Sequence, residues 1–452
     1  MHKKIDPVSG KIFTVFFRYA VPSIFGMLAM SLAVVIDGLF VGKYVGTVSL
    51  AAINLTIPAN GLLFGIALML SVGGAIRCGK FLGENKFQSA GICFSQTMVF
   101  IVFISLLITA AGLFFIDKVV FLLGANEVTA TPLAEYLSIL LFFIVFQLGA
   151  IGLSYFVRVD NFPIWASAAL IAGSVVNIGL DWLFVVRYGL GHKGAALGTG
   201  LAEVTAFFLL SLPFFTKQAR LKLKWRGKDI PELLKVVVNG FPEFSNEFSV
   251  AVVMFIFNWL IMKKLGETGI AAFSIVNYMI LCGLVISYGI SDFLQPVVSQ
   301  NYGARKHRRV RNFVLISTLA AFASGVGISI LLATKSDFLT GLFIRHGETE
   351  TARLTVLFIS RIWPIFLLNG VNIILASYLA AVHRSFDSSL VILAKNLLLP
   401  LLILFIIKVC LKHDAILVVL PISELVAFFI ALFFLFRHNP IMSQKKTVAG
   451  GC

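Results

Sequence analysis

The chain has 452 residues, 59% of them hydrophobic and only 13% charged, with a mean hydropathy of +0.97. An ordinary soluble domain is about a quarter charged, so this composition excludes a soluble enzyme or binding module and indicates a polytopic membrane protein. The net charge of +16 does not mark a nucleic-acid partner, because the Lys and Arg residues sit in short loops between apolar stretches, where they set topology.

The basic N-terminus, Met1 to Lys11, leads directly into a long apolar stretch with no small-residue cleavage site, and reads as a retained first helix. Spans are expected at 14–41, 50–76, 91–116, 133–157, 163–186, 194–215, 236–262, 270–298, 312–333, 353–381, 388–410 and 415–436. Each is long enough to cross about 30 Å of hydrocarbon. The fold expected is therefore all-α, with twelve transmembrane helices. Five scattered cysteines show neither metal spacing nor a disulfide framework.

With the N-terminus inside, the two termini and the even-numbered loops hold more than twice the Lys and Arg of the odd-numbered loops. This bias places both termini in the cytoplasm. The segment Lys217–Lys235 is the longest polar stretch and reads as a basic cytoplasmic linker, either lying on the membrane surface or plainly solvated. The expected organisation is a six-helix lobe over 1–215, a linker over 216–235, a second six-helix lobe over 236–440 and a cytoplasmic tail over 441–452.

The two halves repeat. At an offset of 220, Pro22 falls on Pro242, Lys43 on Lys263, Gly46 on Gly266, Gly83 on Gly303, Lys86 on Lys306 and Thr131 on Thr351. Six helices per half put both repeats in the same membrane orientation, as two parallel repeats. That arrangement suits a transporter with its substrate cavity near the midplane.

The repeat is most informative where it fails. Asp37 ends the apolar first span, whereas its counterpart is Phe257, and Asp181 lies in the fifth span opposite an apolar region near Pro400. An ionised carboxylate in hydrocarbon is costly, so such residues usually face a cavity and carry function. Asn177 precedes Asp181 by four residues and shares its helix face. Trp182, which follows, is compatible with a lined pocket. On the first span Gly26, Met30, Ala33 and Asp37 recur at helical spacing. Pro22 and Gly26 weaken that helix's hydrogen-bond ladder and make it a candidate hinge.

Tyr136 and Gln147 in span four, with Thr199 and Glu203 in span six, are further candidates for the wall of an N-terminal pocket. The second half carries a looser polar set that includes Asn369, Asn372, Glu424 and Lys395; the lysine is expected to pair with a carboxylate across the cavity.

The run Val34–Pro58, VVIDGLFVGKYVGTVSLAAINLTIP, resembles the first-loop signature of multidrug and toxic compound extrusion (MATE) transporters. Asp292–Lys306, DFLQPVVSQNYGARK, is similar to the signature of their second half. The pattern of Asp37 with Asn177-x-x-x-Asp181 most resembles the DinF-like branch.

The resemblance implies an antiporter of a bacterial or archaeal inner membrane, with no cofactor. It would expel small lipophilic, often cationic compounds in exchange for H⁺ or Na⁺. It also implies an N-lobe coupling site at Asp37, Asn177 and Asp181, joined by Thr199 and Tyr136. Other branches use a seventh-span Glu with a tenth-span Asp; here span ten has Asn369 and Asn372 instead.

Two acids alone suffice for H⁺, the favoured ion, while Asn177 and Thr199 would supply neutral oxygens for Na⁺. A monomer acting on small substrates within the bilayer is expected. The alternatives are a flippase for lipid-linked or polysaccharide cargo, or a non-transport receptor or scaffold. The flippase would need a broad basic cavity, yet away from the span ends only Arg361 and Lys395 are basic.

Overall fold

A computed structural model describes residues 6–224, 230–341, 343, 349–410 and 416–438. The middle of the expected linker and the expected tail, 441–452, lie outside the described residues. Among those described, the regular structure is helical throughout.

The first half supplies α1 (Ile12–Val45), α2 (Val48–Gly83), α3 (Phe87–Phe114), α4 (Ala130–Val159), α5 (Pro163–Arg187) and α6 (Gly191–Phe215). In the second half a continuous stretch, Ile230–Gly303, breaks at Gly266 (φ 63°), dividing it into α7 (230–265) and α8 (267–303). Next come α9 (His307–Gly341), α10, α11 (Ser385–Ile407) and α12 (Val419–Arg437). Helix α10 was expected as one continuous span. It consists of Thr349–Ile362 and Ile365–Ala381, bent by 53°, because Pro364 at the junction has no N–H to continue the ladder. Twelve apolar helices result among the described residues, in line with the twelve spans expected.

The backbone repeats more faithfully than the sequence does. Left-handed residues fall at Gly46 and Gly266 (φ 108° and 63°) and at Asn85 and Arg305 (φ 58° and 56°), each pair at the offset of 220. A third pair, Asn161 and His383 (φ 69° and 63°), follows at nearly the same offset. Side chains rarely adopt this conformation, so its recurrence at matched turns marks a duplicated fold even where the residue types have diverged.

Two compact units result, one of Met1–Phe244 with Ser299–Arg305, the other of Ser245–Val298 with Lys306–Cys452. In the first, α1 packs on α5, α5 on α6 and α6 on α4, while α2, α3 and α4 pack together. The core of that second group is Ala67, Leu70, Ile101, Leu141, Ile144 and Leu148. The end of α8 joins this unit through a reciprocal glycine contact. A Cβ on Gly83 would overlap the Gln300 carbonyl, and one on Gly303 would overlap the Lys80 carbonyl. Gly83 and Gly303, like Lys80 and Gln300, are related by the offset of 220.

The chain after α6 is anchored to the first unit over 219–224, with Lys222, Leu223 and Lys224 exposed. Leu221 is fully buried. The Asp160 carboxylate accepts the backbone N–H groups of Arg220 (2.8 Å) and Leu221 (3.3 Å), and Ser95 Oγ accepts that of Lys224 (2.9 Å). Removing the carboxylate strands buried donors at a cost of about 2 kcal/mol. Asp160→Ala should therefore speed protease cleavage within 216–224 several-fold in detergent-solubilised protein, as read by peptide mapping over time.

In the second unit, α10 packs against α9 and α12, and α11 against α12. Its core includes Phe257, Phe273, Val276, Leu354 and Phe358. Phe257, the counterpart of Asp37, is 1% exposed and stacks on Phe273 at 6.3 Å between centroids.

Candidate ion-coupling site

Asp37 and Asp181 meet in the first unit. Their carboxyl groups lie within hydrogen-bonding reach of one another. Asp181 is fully buried and Asp37 half-buried. One oxygen of Asp37 and both of Asp181 are buried with no protein donor. Two ionised carboxylates are acceptors only, so the pair holds together only when a proton or a cation stands between them.

The positioning is local and helical. Asp37 and Asp181 each lie on the last α-helical turn before a π-helical segment, Val41–Val45 after the first and Trp182–Arg187 after the second. A π-turn widens the helix and is frequent at functional sites. Four residues beyond each acid stands a valine, Val41 and Val185. These two pack with Tyr136, Ala195 and Ala196 in one apolar cluster, which covers the pair on that side. Tyr136 is buried at 4% exposure and close enough to both acids to feel their charge.

Gly198 on α6 completes the cradle. A Cβ there would overlap Asp181 Oδ1 and stand 3.3 Å from the Asp181 backbone nitrogen. On the other side α1 is drawn onto α5 where Gly26 meets Ser167, with 3.5 Å from a Cβ position on Gly26 to Ser167 Cβ. Along that seam the hydroxyls of Ser23 and Ser167 are also buried without a partner.

The sequence candidates divide accordingly. Asp37, Asp181 and Tyr136 come together. Asn177 is buried one turn before Asp181 and forms no side-chain hydrogen bond among the described residues, and Ala33 is buried on α1 one turn before Asp37. Met30 is half-buried on the same helix, and Thr199 is half-buried beside Gly198. Gln147 and Glu203 are half-buried on α4 and α6 and make neither a hydrogen bond nor an ion pair with the acids. Trp182, beside Asp181, is 54% exposed.

Pro22 lies in the interior of α1, where the helix continues through it. Gly198, Val41 and Val185 were not singled out by sequence reasoning. The valines carried a signal, spaced four from each acid; the glycine carried none. Among the described residues no group of three His, Cys, Asp or Glu is arranged to hold a metal ion.

The MatE family profile matches residues 22–183 and 242–406, covering both repeats. The chain belongs to the MATE family. It is thus a transporter and not an enzyme, a multi-pass protein of a membrane. This MATE transporter is 21% identical over 396 residues to the multidrug export protein MepA of Staphylococcus saprophyticus, covering 87% of each chain. Its fold matches a solved MATE structure in the straight conformation (TM-score 0.91, 19% identity, 98% and 100% of the two chains). It also matches one in the bent conformation (TM-score 0.89, 21% identity, 99% and 100%).

Proposed function

We propose that this MATE transporter is a cation-coupled antiporter that exports small lipophilic, often cationic compounds across an inner membrane, with both termini in the cytoplasm. The carboxyl pair of Asp37 and Asp181, buried with three oxygens that no protein donor reaches, carries the reading. A site that closes only around a positive charge takes up H⁺ or Na⁺, and loses it when cationic cargo or the opposite gradient competes.

H⁺ is favoured because the two acids need no further ligand for a shared proton. Asn177 and Thr199 would supply neutral oxygens if the ion were Na⁺. Tyr136, Met30 and Ala33 would form the adjoining wall, with Gln147 and Glu203 as more distant polar groups. Pro22 leaves the Arg18 carbonyl without an intrahelical donor, and with Gly26 one turn on it provides a place for α1 to bend as the ion binds. The name of the MepA relative supports drugs as cargo.

The test is ethidium transport in inverted membrane vesicles, with a pH gradient or a Na⁺ gradient imposed separately. Transport driven by ΔpH alone is the expected result. Transport driven by Na⁺ alone would assign the pair to Na⁺, and transport driven by neither would remove the antiporter reading.

A further inference from the structure

The second unit contains a buried ionic cluster with a different logic. Glu424 on α12 is 4% exposed and Lys395, in a π-helical segment of α11, is 6% exposed. Asn369 and Asn372 on α10 complete it, at 6% and 1%. The carboxylate is held by the amides: Asn369 Nδ2 donates to Oε1 at 2.6 Å, and Asn372 Nδ2 donates to Oε2 at 2.7 Å and to the Glu424 carbonyl at 2.9 Å.

The ammonium is held more loosely, with Lys395 Nζ at 3.5 Å from Glu424 Oε1 and 3.2 Å from Asn369 Oδ1. Strong N⁺–H···O⁻ contacts are closer to 2.7–2.9 Å. The Asn372 Oδ1 atom is buried with no partner at all. The carboxylate is therefore positioned by neutral groups, and two amide oxygens stand beside it as further ligands. Only the lysine supplies positive charge.

We propose that Glu424, Asn369 and Asn372 form an alkali-cation site that the chain fills with its own Lys395 ammonium. Such a tethered cation neutralises the carboxylate but cannot be released to either side, so the second lobe takes no free ion and adds none to the transport stoichiometry. The cluster draws on the fourth, fifth and sixth helices of its repeat, whereas the Asp37–Asp181 pair joins the first and fifth. The two are separate solutions to burying a carboxylate, one with an exchangeable charge and one with a fixed charge. The inference holds whether or not Asp37 and Asp181 carry the coupling ion.

The test removes the tether. In a full-length Asp37→Asn/Asp181→Asn background, which silences the first-lobe acids, melting temperature is followed against NaCl and LiCl with choline chloride as the ionic-strength control. With Lys395 intact no cation-specific change is expected. Lys395→Ala should gain a Na⁺- or Li⁺-dependent rise of about 2–5 °C near saturation, and Lys395→Ala/Glu424→Gln should lose that rise.

A folded Lys395→Ala protein that is indifferent to all three salts would overturn the proposal. So would a cation-specific rise of equal size with Lys395 intact. Failure of Lys395→Ala to fold in any alkali chloride, while the double variant folds, would also overturn it, since the carboxylate would then accept no substitute cation.

Discussion

Asp37→Asn is expected to abolish drug efflux and yet leave the protein more stable than the wild type. The side chain keeps its shape, but the amide can now donate to Asp181, whose two buried oxygens have no donor in the native protein. A hydrogen bond to a charged group contributes about 1.5–3 kcal/mol, and the need for an intervening proton or cation disappears with the like charge. Ethidium resistance in cells should fall to that of the empty strain at unchanged expression, while the melting temperature of purified protein rises by a few degrees. Undiminished resistance would show that Asp37 is not essential to coupling. Lost resistance with a lowered melting temperature would make it a structural residue.

The second large effect is expected at a residue with no chemistry of its own. Gly198→Ala places a methyl group where Asp181 Oδ1 now lies, with Asp181 Cγ at 3.4 Å as well. The carboxyl must turn aside, away from Asp37. Displacements of ~1 Å in a positioned site cost between about 10- and 100-fold in rate, and ΔpH-driven efflux should fall on that scale. The fold should survive, because the displaced atom is the end of a side chain. Gly179 is the control: it lies on the same helix as Asp181, and a Cβ there meets nothing within 4 Å. Gly179→Ala should transport normally, and stability should be unchanged or slightly raised. Equal losses at Gly179 and Gly198 would attribute the effect to helix flexibility rather than to the carboxyl cradle.

How much of this could be read from the chain differs by element. Hydropathy located all twelve spans, because crossing a bilayer imposes a length and an apolarity that no tertiary contact can replace. The bend within α10 was visible as Pro364 but was masked by the apolar residues on both sides of it. The anchoring of 219–224 was not legible: nothing in a run rich in Lys and Arg shows that Asp160, some 60 residues earlier, accepts its backbone donors. Lys395 was expected to find a carboxylate partner and finds Glu424, on the adjacent helix.

Composition and the offset of 220 by themselves determined that this is a duplicated membrane protein in which two acids lack counterparts. Those properties are linear, set by how far each residue lies from its neighbours in the chain. Only the tertiary structure decided that Asp37 and Asp181, on helices α1 and α5, turn their carboxyl groups to each other. It alone revealed that no donor reaches them, that Phe257 fills the equivalent place with a stacked ring, and that Gly198 matters for the atom facing its missing Cβ. Each of these depends on which helix faces border one another, and helix packing sets that through contacts the order of residues does not record.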